Sequence, residues 1–151
     1  MSEADIVIEH NRPLRLAVAD GDLVWDDRVP VVRVRGVDLG DLARKSARVR
    51  RDQPDVDVVA DIDVVIAAEA WAARAMTDAD SSGTRERTML YVGTPTGLAG
   101  LVADIHALGI ADGAVLIPRG AGVAELIREA VLPVLQTMTV LPDFGPQARP
   151  A

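Results

Sequence analysis

Hydrophobic and polar positions change period several times along this chain, and each change marks an element. The clearest succession runs from Thr88 to Gln136 and reads strand, helix, strand, helix. Thr88–Val92 (TMLYV) is a short aliphatic and β-branched run, which predicts a strand buried on both faces. Gly93-Thr94-Pro95 turns the chain, with Thr94 as helix N-cap and Pro95 at the first helical position, where its missing N–H costs nothing. Leu98, Leu101, Val102, Ile105 and Leu108 recur at helical spacing, and Gly109 stops the helix. Gly113–Ile117 (GAVLI) is the next strand, broken by Pro118, Gly120 and Gly122. Val123, Leu126, Ile127, Ala130, Val131 and Val134 form a second apolar stripe. Apolar strands alternating with helices predict parallel pairing through right-handed crossovers.

Upstream the same grammar continues. Leu14–Val18 (LRLAV) predicts a strand, with a weaker edge strand at Asp5–Glu9. The turn Ala19-Asp20-Gly21-Asp22 and the run Leu23-Val24-Trp25 suggest a hairpin return; a distorted parallel connection is the alternative. Val31–Val34 (VVRV) is followed by Asp38, a helix cap, and by an inner stripe of Leu39, Leu42, Ala43 and Val49. Val56–Ala67 is the longest strand candidate: Val58, Ala60, Ile62, Val64 and Ile66 share one face, and Val59, Asp61, Asp63 and Val65 the other. Glu69–Ala79 predicts a helix carrying Trp71, and 78–83 (DADSSG) a polar loop. One α/β domain is expected over 1–141, with a disordered tail at 142–151 where Pro and Gly occur without periodicity.

The order Gly93-Thr94-Pro95, a helix ending at Gly109, Asp112-Gly113 before a strand closing at Pro118, and Val131-Leu132-Pro133 late in the next helix resembles a known family. It is similar to the C-terminal end of bacterial luciferase-like monooxygenases, whose last two βα units often read VGTPEEVADRL, then G-x-DGF-x-L-x-P, then LPEL. Thr96-Gly97 stands where that family usually has an acidic or Gln pair, and Ala114 where it has Phe. The resemblance covers the last third well and extends more faintly back to Val31. It implies a partial, half-size TIM-type β/α barrel, mainly parallel, with the hairpin-like segment at its start. It also implies flavin or deazaflavin chemistry, with FMN or a deazaflavin as cofactor. Having no cofactor is equally compatible, because much of the family's pocket comes from strands with no counterpart here.

Length and charge narrow this picture. At 151 residues the chain has room for about four βα units, against ~250 residues for a complete barrel. Such a half-barrel is expected to expose both its strand edges and its apolar lining, which predicts a homodimer or a heteromer with a luciferase-like subunit. A truncated luciferase-like protein with little or no activity alone is therefore the first expectation, and a non-catalytic subunit of a larger flavoprotein the second. A net charge of −7 argues against nucleic-acid binding. There is no cysteine, no apolar run of membrane-spanning length and no signal-peptide pattern, so a cytoplasmic protein without membrane attachment is expected.

Candidate chemistry is sparse. Asp61 and Asp63, two apart on one strand face, are the catalytic candidates, since close carboxylates can share a proton. Against this, the same face could be solvated, or the pair could bind Arg33 or Arg35 on the neighbouring strand. Arg119, Gly120 and Gly122, at a strand's C-terminal end before a helix, are the candidates for holding a cofactor phosphate. The basic side of the 39–51 helix reads as a solvated face or, less simply, as an attractor of an acidic partner or phosphate. His10 and His106 are the two histidines and form no metal signature.

Overall fold

The computed structural model describes residues 13–19, 30–79 and 88–137. The expected edge strand at 5–9, the hairpin return at 23–25, most of the 78–83 loop and the tail lie outside them. Strands β1 (Arg15–Val18), β2 (Val31–Val34), β3 (Asp57–Ile66), β4 (Met89–Gly93) and β5 (Gly113–Pro118) are joined by helices α1 (Leu39–Asp52), α2 (Ala70–Ala79) and α3 (Pro95–Ala107). A last helix, α4, opens at Val123–Leu126, passes through a π turn at Ile127–Val131 and continues over 132–137.

The helix ends follow from the residues the sequence places there. Asp38 Oδ1 accepts from the Asp41 amide at 2.8 Å, and Thr94 Oγ1 from the Gly97 amide at 3.2 Å. Each satisfies one donor that the first turn leaves without an intrahelical partner. Asp41 also accepts from the Val37 amide at 3.1 Å. That bond, then Lys45 and Arg44, holds its carboxyl below the usual carboxylate range against the opposing pull of desolvation. The π turn in α4 has its cause in Pro133. The Leu132 amide reaches back five residues to the Ile127 carbonyl, just before a proline that has no N–H to give and whose ring would crowd a tighter turn.

All the strand pairs are parallel. The order is β1-β5-β3-β2, with β4 paired to β3 off this path, so β5 lies beside β3 although β4 comes between them in the chain, and β1 lies beside β5. The even-numbered residues of β3 (Val58, Ala60, Ile62, Val64, Ile66) pack with Leu42 of α1, with Leu98, Val102 and Ile105 of α3, and with Val123, Ile127, Val131 and Leu135 of α4. Met76 of α2 joins the same cluster. Every helix thus covers one face of the sheet, whereas a doubly wound sheet has helices on both. This is an α/β fold with the architecture of a partial β/α barrel. Each of these leucines and isoleucines contributes about 1.5–3 kcal/mol by leaving water.

Two expectations are corrected here. The 88–92 run does not insert between β3 and β5. β4 pairs instead with residues 62–66 of β3, while β2 pairs with 57–60 along the same edge. β5 occupies the other edge over 59–64. Ten residues of β3 give one edge room for two short strands end to end, and β4 is half-buried rather than enclosed on both faces. Nor is the lining exposed: Val59 and Val115, on the face away from the helices, are buried within the chain.

The turn into α3 is built around a tyrosine. Tyr91 Oη donates to the Thr94 carbonyl at 3.3 Å and sits where a Cβ on Gly97 would overlap it. This accounts for Gly97 where the resembled family carries a longer side chain. Gly97→Ala is expected to cost about 1–2 kcal/mol as overpacking. In a Tyr91→Phe background the same change should be neutral or slightly stabilising, because Ala is the better helix former by about 1 kcal/mol. A double-mutant cycle in urea measures the coupling; additive effects would contradict the contact.

Candidate functional site

The face of the sheet away from the helices carries charge. Strand alternation puts Asp57, Val59, Asp61, Asp63 and Val65 of β3 on it together. The parallel register brings arginines from the neighbouring strands onto the same face. Arg33 lies opposite Val59 in β2, and Gly113 in β5 lies between Val59 and Arg15 of β1.

The two catalytic candidates are buried, with Asp61 2% and Asp63 0% exposed. Arg33 forks onto Asp61, with Nε to Oδ1 at 2.8 Å and Nη2 to Oδ2 at 3.2 Å. A second guanidinium stands by the same carboxylate, with Arg35 Nε 3.6 Å from Oδ2. Arg119 Nη1 reaches Asp63 Oδ2 at 3.3 Å. Lower on the strand Arg15 Nη1 meets Asp57 Oδ2 at 2.7 Å, reaching past Gly113, which has no side chain to obstruct it. Each carboxylate therefore faces an arginine. Such a pair contributes little net stability against apolar residues of the same shape, but taking away the cation alone costs about 3–5 kcal/mol. Of the readings open at the level of sequence, the one in which Asp61 pairs with Arg33 and Arg35 describes this geometry.

Arg119, Gly120 and Gly122 form the turn from β5 into α4. The Arg119 amide donates to the Val64 carbonyl at 2.9 Å, which keeps the start of the turn against β3. Gly120 and Gly122 have φ of +112° and +80°, a region that side chains with a Cβ disfavour. At Gly120 space is short as well, since a Cβ would come within 2.9 Å of Met76 Cε in α2. At Gly122 it would meet nothing within 4 Å, so backbone conformation alone requires glycine there. The turn thus lies beside Asp63, with the start of α4 behind it. Glu125, in the first turn of that helix, competes with any anion for its positive end.

Several functional-looking contacts were not anticipated from the sequence. Arg119–Asp63 joins residues 56 apart, and Arg15–Asp57 residues 42 apart. Away from the sheet face, Arg50 of α1 binds the Gly109 carbonyl at 2.8 Å and Asp112 at 3.2 Å, while Asp112 Oδ2 accepts from the Val58 amide at 2.9 Å. The usable signal was alternation: Arg33 and Arg35 repeat with the same two-residue spacing as Asp61 and Asp63. Among the described residues no group of His, Cys, Asp and Glu could hold a metal ion, and no helix is long and apolar enough to cross a membrane.

No protein-family model and no curated protein matches this chain. Its fold is similar to that of several solved structures. The EDTA monooxygenase EmoA from Chelativorans sp. BNC1 is 17% identical, with 72% of this chain and 39% of that chain covered and a TM-score of 0.59. The riboflavin lyase RcaE, solved with modified FMN and its substrate riboflavin, is 18% identical, with 73% and 39% covered and a TM-score of 0.60. The long-chain alkane monooxygenase LadA is 17% identical, with 72% and 36% covered and a TM-score of 0.53. The chain spans about two-fifths of the length of these proteins. At this identity the likeness establishes the fold.

Proposed function

We propose that this chain is a luciferase-like partial barrel that takes up a flavin only in an assembly, in the first place a homodimer, and has little or no oxidoreductase activity alone. The observation that carries the reading is the parallel sheet with its helices on one face, in a fold similar to that of two monooxygenases and a lyase solved with modified FMN. The flavin, FMN or a deazaflavin, would lie over the C-terminal ends of β3 and β5, against the turn formed by Arg119, Gly120 and Gly122. Support for assembly comes from the edges. Among the described residues β1 pairs with β5 alone, and β2 and β4 with β3 alone, which makes the outer edges candidates for pairing with another strand.

Native mass spectrometry of the whole chain, with and without FMN, tests the reading. The expected result is a dimer that gains the mass of FMN; a monomer that gains none would overturn it. A second reading, a non-catalytic subunit that completes or regulates a larger flavoprotein, is favoured by the engagement of Asp61 and Asp63 with arginines. It expects no flavin on the isolated chain and a stable complex with a luciferase-like subunit.

A further inference from the structure

We infer that Arg33 and Arg35 form a binding site for an oxyanion, a phosphate monoester or a carboxylate, in which Asp61 fixes Arg33 and Arg35 takes the ligand. Both arginines approach Asp61, so both lie on the inner face, at the C-terminal end of β2. Parallel sheets in barrels and open α/β folds receive their ligands at that end.

The balance of charge and donors sets this pair apart from the other ion pairs on the face. Arg33 spends its fork on both oxygens of Asp61. Arg35 approaches an oxygen already engaged, through Nε alone and at 3.6 Å, beyond hydrogen-bonding distance. Its two terminal amino groups have no acceptor among the described residues, and its side chain is 57% exposed. Two guanidiniums therefore share one carboxylate. Lys45 Nζ, paired with the Asp41 carboxylate at 3.3 Å, binds the Arg35 carbonyl at 2.8 Å and so fixes the backbone at Arg35 without adding net charge. A planar fork with both arms unused, backed by a fixed second arginine, is the arrangement that recognises phosphate and carboxylate in two-point fashion. Asp61 acts here as a positioning residue: it holds Arg33 and keeps its charge beside the site.

Two sources share this chemistry. The anion is either the phosphate of a flavin mononucleotide, in which case the inference deepens the flavin reading, or a small phosphate or carboxylate substrate, in which case it stands without it. Calorimetric titration of the whole chain with FMN, riboflavin and inorganic phosphate separates them. Riboflavin has the same ring system and lacks the phosphate. The variant is Arg35→Gln; Arg48→Gln, on exposed α1 surface, controls for net charge. If FMN is the source, the wild-type chain binds FMN roughly tenfold tighter than riboflavin. Arg35→Gln then abolishes that difference with an unchanged unfolding midpoint, and Arg48→Gln preserves it. If the source is a small anion, inorganic phosphate binds saturably, Arg35→Gln removes that binding, and neither flavin binds; the site then stands and the flavin reading falls. Binding of FMN and phosphate by Arg35→Gln at wild-type strength would overturn the inference. So would the absence of measurable phosphate and FMN binding in the wild-type chain.

Discussion

Replacing Gly113 with alanine is expected to destabilise the protein by about 3 kcal/mol, the upper end of the range for overpacking. Gly113 opens β5 and lies between Arg15 of β1 and Val59 of β3. A Cβ built there overlaps the Arg15 carbonyl oxygen, and the Arg15 nitrogen is 2.7 Å away. The obstacle is backbone, so no rotamer change relieves it. β1 also cannot retreat without loss, because the Arg15 amide donates to the Asp112 carbonyl at 2.9 Å and its side chain holds Asp57. Gly100→Ala is the matched control. It lies inside α3, a Cβ there meets nothing within 4 Å, and the change should stabilise by up to about 1 kcal/mol through helix propensity. Urea unfolding of both variants at a common m-value measures the contrast. A Gly113→Ala protein within a few tenths of a kcal/mol of wild type would mean that β1 is not held as described.

This glycine shows what the sequence offers and where it stops. Asp112-Gly113 stands out in the sequence as a punctuation mark before an apolar strand. That the glycine admits a neighbouring backbone is a property of β1, nearly a hundred residues earlier in the chain. The same division runs through the fold. Caps at Asp38 and Thr94, the stop at Gly109 and the alternation of β3 are local, and periodicity or side-chain chemistry reveals each of them. The edge that β4 joins is not local. Its five residues say strand, while the free half of the β3 edge decides where it pairs. The π turn had a local signal in Pro133, inside an apolar stripe that otherwise reads as an uninterrupted helix. The carboxylates of the candidate site were visible as a spacing. Of their partners only Arg33 and Arg35 were, since they alternate on an adjacent strand, whereas Arg119 becomes a partner of Asp63 only once β5 is known to pair with β3.

The second large effect is expected at Asp61, and it follows from which charge is buried. The carboxylate is 3% exposed, whereas Arg33 and Arg35 are 40% and 57% exposed. Losing the acid frees two guanidiniums that can turn into water. Losing both bases strands a carboxylate that cannot. Arg33→Ala with Arg35→Ala should therefore cost about 3–5 kcal/mol, the penalty for uncompensating a buried charge. Arg35→Ala alone should cost well under 1 kcal/mol, as exposed pairs do. Adding Asp61→Val to the double variant should restore most of the loss, because valine suits a strand already lined by Val59 and Val65 and leaves no charge behind. Rescue by a third mutation is an unusual signature, and chemical denaturation of the four proteins reads it directly. The outcome also bears on chemistry. A carboxylate serving only as an acid or base would lose turnover on substitution and leave stability untouched, with nothing to rescue. If the two arginines can be removed at little cost, Asp61 is solvated after all and returns as a candidate for proton transfer. If the rescue is seen, the acid's task is to hold Arg33, and the reactive end of this face is sought at the arginines.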